Sequence, residues 1–375
     1  MRIGIVLYPT YGGSGVVATE LGKSLAKKGH QVHFITYSQP VRLGSFRENV
    51  FYHEVTVSKY PLFDYEPYET VLTSKMVDVV MHENLDILHV HYAIPHASAA
   101  LMAKQILKTR GYNTPIVTTL HGTDITLVGK DSSFESVISF CINESDAVTA
   151  VSESLREDTR KYFNTQREIN VIPNFVSKPN NINRENNSTR FRYAKENEFV
   201  LCHISNFRKV KRVEDVLTVF AKVNEKIPSN LILVGDGPER YHLEEMCRDL
   251  GLCDKVHFVG KISDTSHVLE FSDLFLLPSE TESFGLAALE AMVMGVPVIS
   301  SNTGGIPEVN VQGITGYLSN VGDVEDMAKN AVYILSDSLR LKTFRENAIK
   351  HAHTFNVEAI VGQYETIYDK LLEEK

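Results

Sequence analysis

The chain has 375 residues, of which 43% are apolar and 23% are charged, and its formal net charge is −9. Such a length and composition are typical of a soluble globular protein with two domains. The acidic balance argues against a nucleic-acid binder, and the absence of an apolar run of about 18 residues argues against membrane insertion. We therefore expect a cytoplasmic protein that acts on small molecules. The sequence leaves open whether it forms a homo-oligomer.

The chain begins with a pattern of strand, glycine-rich loop and helix. An apolar run, Arg2–Tyr8, predicts the strand, and the periodicity of Val16–Lys28 predicts the helix. The loop Gly12–Gly15 between them would let backbone approach a ligand, and the helix start would supply N–H donors. Only the looser GxGxxA form of the dinucleotide motif is present, and no acidic residue closes the next strand, 31–36, so a nicotinamide cofactor is only weakly indicated. The alternative is a tight turn that needs glycine.

The same alternation continues through the first half, after an irregular segment (41–68) whose role the sequence leaves open. The strands that it predicts are Asp86–Tyr92, Pro115–Leu120, Ala147–Val151 and Asn170–Ile172, with a helix at Pro95–Arg110. His121 follows one of these strands, where doubly wound folds place their chemistry, although a turn histidine bonded to backbone would look the same. The cluster of His89, His91 and His96 includes no carboxylate or cysteine, so hydrogen-bonded histidines are favoured over a metal site.

The second half repeats the alternation after an asparagine-rich, charged linker (177–198). Its predicted strands are Phe199–Ser205, Asn230–Val234, Lys255–Val259, Leu274–Leu277 and Val296–Ser300. The sequence thus predicts an α/β protein with two Rossmann-like domains that face each other across a cleft. We assign them to residues 1–175 and 176–355, and we expect a C-terminal helix (356–375) to pack back across the junction.

Two glutamates eight positions apart, Glu282 and Glu290, stand out in the second domain. A loop, 279–285, follows a strand and leads into a predicted helix, 286–292. Eight residues of helical rise span about 12 Å, enough to touch two parts of one extended ligand. Because helix N-termini hold phosphate, the pattern indicates a sugar nucleotide with a carboxylate on each side of its diphosphate. The alternative is a loop glutamate and a second one on a solvated helix face.

A group of cations follows the first strand of this domain. Its members are Arg208, Lys209, Lys211 and Arg212. Clustered cations at a strand end suit a diphosphate, although a solvated turn would look similar. Gly260 ends another strand in a turn that could place backbone groups around a base. No Asp-x-Asp sequence occurs in the chain. We therefore expect no metal cofactor and a diphosphate neutralised by Arg, Lys and helix ends.

Taken together, these motifs resemble the retaining GT-B glycosyltransferases of family 4 over nearly the whole chain. The resemblance rests on GGSG at 12–15, HGTD at 121–124, the Lys211 turn, and ESFGLAALE at 282–290 with GGIPE at 304–308. Three longer stretches, 89–97, 118–126 and 205–212, are most similar to the branch that serves bacillithiol biosynthesis. That branch transfers N-acetylglucosamine from its UDP donor to the hydroxyl of L-malate.

The resemblance implies a role for each candidate residue. The implied catalytic residues are His121, Arg208, Lys211 and Glu282. The implied donor-binding residues are Gly13, Gly260, Ser283, Phe284, Gly285, Leu286 and Glu290. The implied acceptor-binding residues are Ser14, Tyr92 and Thr119. Many family members carry an arginine where this chain has Asn206, and we expect Arg208 to substitute for it.

The expected reaction is a metal-independent transfer that retains the configuration of the sugar. No carboxylate is placed as an obvious covalent nucleophile, so front-face transfer is favoured over double displacement. Three alternatives remain open at this stage. The same donor could serve another acceptor, such as an inositol phosphate or a lipid. The chain could instead be a UDP-N-acetylglucosamine 2-epimerase or a non-catalytic sugar-nucleotide binding protein.

Overall fold

The computed structural model describes residues 1–10, 13–44, 47–57, 66–176 and 189–374. They divide into two compact units, the first comprising Met1–Asn174 with Val357–Lys375 and the second Phe175–Asn356. Gly12 of the glycine loop and residues 177–188 of the predicted linker lie outside the described residues. None of the helices in the described part combines the length and apolar composition that crossing a membrane requires.

The first unit is built on one parallel sheet. Its strands among the described residues are β1 (Arg2–Val6), β2 (Gln31–Thr36), β3 (Val50–Glu54), β4 (Ile87–His91), β5 (Ile116–Leu120), β6 (Ala147–Ala150) and β7 (Ile169–Val171). They are hydrogen-bonded in the order β3-β2-β1-β4-β5-β6-β7, with every pair parallel. The order reverses between β1 and β4, and doubly wound sheets bind ligands beside such a reversal.

Helices cover this sheet, and its central strands are therefore buried on both faces. The helices among the described residues up to Tyr162 are α1 (Gly13–Lys27), α2 (Tyr68–Glu83), α3 (Ser98–Thr109), α4 (Glu135–Glu144) and α5 (Glu153–Tyr162). All five residues of β4 and of β5 are buried, as expected for a parallel sheet between helical layers. The helix predicted from Pro95 begins at Ser98, because a wide π-type turn, Ala93–Ala97, with a non-helical residue at Ile94, precedes it.

The segment 41–68 contains a strand that the sequence analysis did not predict. This strand, β3, lies at the edge of the sheet and pairs only with β2 among the described strands. Its sequence, VFYHE, is half-buried and ends in polar residues. An edge strand of this kind lacks the continuous apolar run that revealed the central strands.

The second unit repeats the architecture. Its strands in the described ranges are β8 (Phe199–Ile204), β9 (Ser229–Val234), β10 (Val256–Gly260), β11 (Leu274–Leu277), β12 (Val298–Ser301) and β13 (Gly316–Ser319). Its helices there are α6 (Val213–Asn224), α7 (Arg240–Asp249), α8 (Ser266–Leu269), α9 (Leu286–Val293), α10 (Ile306–Val309), α11 (Val324–Leu335) and α12 (Ser338–Ala352). The parallel sheet runs β10-β9-β8-β11-β12-β13 and reverses between β8 and β11. The expectation of two parallel α/β sheets is thus confirmed.

The last helix, α13 (Val357–Glu373), belongs to the first unit. Its buried face consists of Ile360, Val361, Tyr364 and Tyr368. The Tyr368 hydroxyl lies 2.6 Å from Nδ1 of His89 on β4. The Glu365 carboxylate accepts a hydrogen bond of 2.9 Å from Nε2 of His30. These polar contacts fix the helix against the first sheet.

Candidate functional site

In the second unit, two loops meet beside the reversal of the sheet. The loop after β8 carries Lys211, and the loop after β11 carries Glu282. The Lys211 ammonium lies 2.6 Å from a Glu282 carboxylate oxygen. A backbone bond of 2.8 Å from the Glu280 amide to the Val210 carbonyl ties the loops together. Both charged side chains are about one-fifth exposed, at 21% and 20%, so a ligand could reach the pair without either charge being fully hydrated.

The four predicted cations do not act as one cluster. Arg212 adopts a left-handed backbone conformation, with φ of 48°, at the start of α6. Its Nε donates to the Asp215 carboxylate over 2.6 Å, so the Arg212 guanidinium is bound to the first turn of α6. Arg208 and Lys209 are exposed, whereas Lys211 turns toward Glu282. Lys211 is therefore the cation of this group that pairs with Glu282.

The Glu282 loop is held in place by two glycines that follow β12. A Cβ on Gly304 would lie 2.0 Å from the Glu282 carbonyl oxygen, and one on Gly305 would lie 2.3 Å from the Ser283 carbonyl oxygen. The Gly305 amide donates to the Glu282 carbonyl over 2.9 Å. These close approaches fix the backbone of residues 282–283 and require glycine at both positions.

Residues 283–286 lead into α9 and offer mainly backbone to a ligand. Gly285 has a φ of 95° and precedes the first helical residue, Leu286. The first turn of an α-helix leaves N–H groups without partners inside the helix, and such groups attract anions. The side chain of Phe284 is buried, with its ring 5.8 Å from that of Phe355 in an edge-to-face contact. Phe284 thus anchors the loop in the core.

Two other predicted donor residues lie on neighbouring elements of this unit. The carboxylate of Glu290, in α9, accepts a hydrogen bond of 3.3 Å from Thr265, a contact that the sequence analysis missed. Gly260, the last residue of β10, has a φ of 74° and open space in the direction of a Cβ. Its carbonyl accepts a 2.8 Å bond from the Gly235 amide.

A buried histidine that the sequence analysis did not single out links β8 and β11, the strands on either side of the reversal. His203 on β8 donates from Nδ1 to the Leu276 carbonyl on β11 over 2.8 Å, and its Nε2 lies 2.7 Å from the Ser205 hydroxyl. Burial lowers the pKa of His203 to about 4. The ring is therefore neutral near pH 7. Inside an apolar run a histidine gives no separate signal, which is why sequence reasoning passed over it.

The first unit also brings candidate residues together at its own switch point. Ser14 lies in the first turn of α1, after β1, and Tyr92 directly follows β4. The Tyr92 hydroxyl donates to the Ser14 hydroxyl over 2.5 Å. Burial raises the pKa of Tyr92 to about 12, so this phenol stays protonated. Gly13, the first residue of α1, is exposed beside Ser14.

His121 lies next to this pair and is neutral. Its side chain is mostly buried, and Nε2 lies 2.8 Å from Nδ1 of His91. Burial lowers the pKa of His121 to about 3. Asp124, from the same HGTD stretch, accepts backbone N–H bonds from Ala93 at 2.8 Å and from Gly122 at 3.1 Å. Burial raises the pKa of Asp124 to about 6.

Thr119 occupies a different position from the other predicted acceptor residues. It is 1% exposed, and its hydroxyl bonds within the sheet to Nε2 of His89 and to the Thr149 hydroxyl, each at 2.7 Å. Its carbonyl accepts the Tyr92 amide over 2.8 Å. Thr119 therefore contacts Tyr92 through its backbone carbonyl, whereas its side chain lies inside the sheet.

Comparisons with known proteins show the family of the chain. Residues 11–178 match the model of Glycosyltransferase Family 4, and residues 185–351 match that of Glycosyl transferases group 1. The chain is 48% identical to N-acetyl-alpha-D-glucosaminyl L-malate synthase of Bacillus anthracis over 374 residues, 99% of this chain and 97% of that protein. It is 27% identical to the uncharacterized glycosyltransferase MJ1607 of Methanocaldococcus jannaschii over 94% of this chain and 92% of that protein.

Solved structures resemble the chain over its full length. Sucrose-phosphate synthase from Thermosynechococcus elongatus has a TM-score of 0.84 at 20% identity and covers 100% of both chains. Anabaena Alr3699/HepE in complex with UDP and glucose has a TM-score of 0.82 at 21% identity and covers 98% of this chain and 99% of its own. At these identities the likeness shows the fold. Together with the family models and the 48% identical relative, it shows that the chain belongs to the family 4 glycosyltransferases of the GT-B class.

Proposed function

We propose that this enzyme transfers N-acetylglucosamine from UDP-N-acetylglucosamine to the hydroxyl of L-malate and retains the α configuration. The observation that carries the proposal is the Lys211–Glu282 pair at the sheet reversal of the second unit, beside the start of α9. The transferred sugar, its α configuration and the acceptor follow the name of the 48% identical relative. A role in bacillithiol biosynthesis belongs to the same proposal.

The second unit would bind the donor through its charges and its helix start. Glu282 neutralises Lys211 at 2.6 Å. An incoming diphosphate would take over the ammonium and release the carboxylate for hydroxyl groups of the hexose. The exposed Arg208 would add a second cation, and backbone N–H groups of 283–286 would receive the distal phosphate. Glu290, already bonded to Thr265, would hold the ribose hydroxyls, and the Gly260 turn would lie near the base.

The chemistry would follow a front-face course without a covalent intermediate. The bond between the anomeric carbon and the UDP phosphate oxygen breaks, and the malate hydroxyl oxygen bonds to that carbon on the same face. The departing phosphate takes the hydroxyl proton, so charge and atoms balance. Lys211 and Arg208 stabilise the charge that develops on the diphosphate, without a metal ion. His121, held neutral by burial, would contact the transferred sugar without adding a cation.

The first unit would hold the acceptor beside Ser14 and Tyr92. The Ser14 hydroxyl, held by the O–H that Tyr92 donates to it, would donate to a malate carboxylate, and the Gly13 backbone beside it would approach the transferred sugar. Helix α1 begins there with no acidic residue in its first turn, so its positive end favours an anionic acceptor. The Thr119 carbonyl would help to position Tyr92 through its hydrogen bond to the Tyr92 amide. The cytoplasmic location remains a prediction.

An acceptor screen tests the proposal. Purified enzyme is incubated with UDP-N-acetylglucosamine and either L-malate, related hydroxy acids, an inositol phosphate or no acceptor, and both UDP and sugar products are measured. The proposal predicts UDP release that depends on L-malate. Release with inositol phosphate alone would identify a different acceptor. Epimer formed without any acceptor would identify an isomerase, and binding without turnover would identify a non-catalytic protein.

A further inference from the structure

Another group of polar side chains lies in the first unit, apart from the candidate residues described above. It consists of His33 on β2, His53 on the edge strand β3 and Glu83, the last residue of α2. One nitrogen of each ring and one carboxylate oxygen all lie within 4.8 Å of one another. Nδ1 of His33 and Nε2 of His53 are 2.9 Å apart. Three separate elements thus converge on one small volume.

The sheet register explains how the two histidines meet. His33 pairs with Phe51 of β3, and Ile35 pairs with His53, so the histidines lie on one face of the sheet at diagonal positions. The His33 ring stacks on Phe51, with centroids 4.6 Å apart and planes at 14°, and its plane lies 16° from that of His53. His33 is buried, whereas His53 and Glu83 are half-buried. The ring nitrogens are therefore held in place, with His53 and Glu83 partly open to solvent.

The contact between the two rings suits a cation ligand. Nδ1 of His33 and Nε2 of His53 face each other at 2.9 Å and share one proton in a ring-to-ring hydrogen bond. If each ring carries its proton on the opposite nitrogen, both lone pairs face the shared volume and are open to a cation.

We propose that His33, His53 and Glu83 form a binding site for a divalent cation of the zinc type. Two imidazole nitrogens and one carboxylate oxygen are a ligand set that Zn²⁺ favours, with a water as the fourth ligand. Zn–N bonds of about 2.0–2.1 Å in tetrahedral geometry place the nitrogens about 3.3 Å apart. The rings need to separate by only a few tenths of an ångström from their hydrogen-bonded spacing, and His53 on a half-buried edge strand can make that shift.

The position of the site indicates a structural role. His33 is the third of six residues in β2, so the site lies away from the carboxyl ends of the strands where Ser14, Tyr92 and His121 are found. A bound cation would join the edge strand to β2 and to the end of α2. Because a cation that binds only the folded chain raises the unfolding temperature by mass action, the expected effect is on stability. Transfer chemistry at the donor site would be unaffected.

Metal titration of the full chain tests this inference. The enzyme is stripped with a chelator and dialysed, and Zn²⁺ binding is measured by calorimetry and by the shift in unfolding temperature. Co²⁺ absorption then reports whether nitrogen ligands surround the metal at low coordination number. The variants are His53→Ala and Glu83→Gln, and the control is His82→Ala, which removes an exposed histidine one position away that contacts Asp78.

We expect wild type and His82→Ala to bind about one equivalent of Zn²⁺ and to unfold at higher temperature when it is present. His53→Ala and Glu83→Gln should bind at least about tenfold more weakly, losing both the thermal shift and the Co²⁺ spectrum while keeping transferase turnover. Glu83→Gln keeps the size of the side chain and serves if His53→Ala folds poorly. Equal binding by wild type and Glu83→Gln, an equal loss in His82→Ala, or no binding by wild type would overturn the site. None of these results affects the proposed transferase activity.

Discussion

Lys211 and Glu282 neutralise each other at 2.6 Å, and this pairing gives the lysine a testable catalytic role. Lys211→Ala should lower kcat by about 10²- to 10³-fold, because the leaving diphosphate loses a charged donor in a poorly hydrated site. The control is Lys209→Ala, which removes an exposed cation two positions away and should leave kcat near the wild-type value. Initial rates of UDP release measure both. Near-normal turnover in Lys211→Ala would remove this residue from the mechanism.

The contact between Tyr92 and Ser14 allows a test of the proposed acceptor site. Tyr92→Phe deletes the hydroxyl that bonds Ser14 at 2.5 Å and should raise the KM for L-malate by about tenfold, the value of one or two lost hydrogen bonds. The KM for the UDP donor should change much less, because the contacts to the diphosphate and the ribose are proposed for the second unit. Tyr162→Phe, at a partly exposed site on α5, is the matched control. An effect on donor KM alone would contradict the acceptor assignment.

At the scale of single residues, the sequence predicted charged positions better than buried ones. Lys211 and Glu282 were singled out because both follow apolar strands, at the ends where parallel folds place their chemistry. His203 and Thr265 were missed, since one lies inside an apolar run and the other is an ordinary residue at a helix start. The hydroxyl of Thr119 was expected at the acceptor, but it bonds inside the sheet. Which way a buried threonine points depends on tertiary neighbours that spacing does not reveal.

Among the elements, the turn before α10 fixes the backbone of the loop that carries Glu282 and Ser283. Gly305 has an ordinary negative φ of −80°, so a methyl group there would act through steric contact alone. Gly305→Ala would place a Cβ 2.3 Å from the Ser283 carbonyl oxygen, and the displaced loop should weaken UDP binding by at least about tenfold, measured by calorimetry. Gly362→Ala in α13 meets no atom within 4 Å and should leave UDP affinity unchanged. Equal affinities in the two variants would show that the loop tolerates the shift.

His203, which links β8 to β11, should make stability depend on pH. Its pKa falls from 6.5 to about 4 in the folded chain because burial disfavours the imidazolium. Between these pH values the unfolded chain binds more protons at His203 than the folded chain does, so the free energy of unfolding rises with pH. The contribution of His203 to stability is lost as the pH falls from about 6.5 to about 4. His203→Gln, which can keep one donor and one acceptor, should flatten this slope in denaturant titrations between pH 4 and 6.5. An unchanged slope would show that His203 does not contribute.

For the whole molecule, the alternation of apolar runs and helical periodicity was enough to predict two parallel α/β sheets. It did not reveal the edge strand β3, whose half-buried residues lack a continuous apolar signal. The positions of Lys211 and Glu282 followed from the rule that chemistry lies at the ends of parallel strands. Their 2.6 Å contact depends on the reversed strand order, which brings together loops 71 residues apart in sequence and is not readable from spacing.

The central claim is that the chain is a metal-free, retaining transferase with malate as acceptor. The most direct measurement is the NMR spectrum of the product formed from UDP-N-acetylglucosamine and L-malate in excess EDTA. The proposal predicts N-acetylglucosaminyl malate whose anomeric coupling is that of the α form, produced at the same rate with and without the chelator. A β-linked product, or turnover that is lost in EDTA and restored by Mg²⁺, would contradict it.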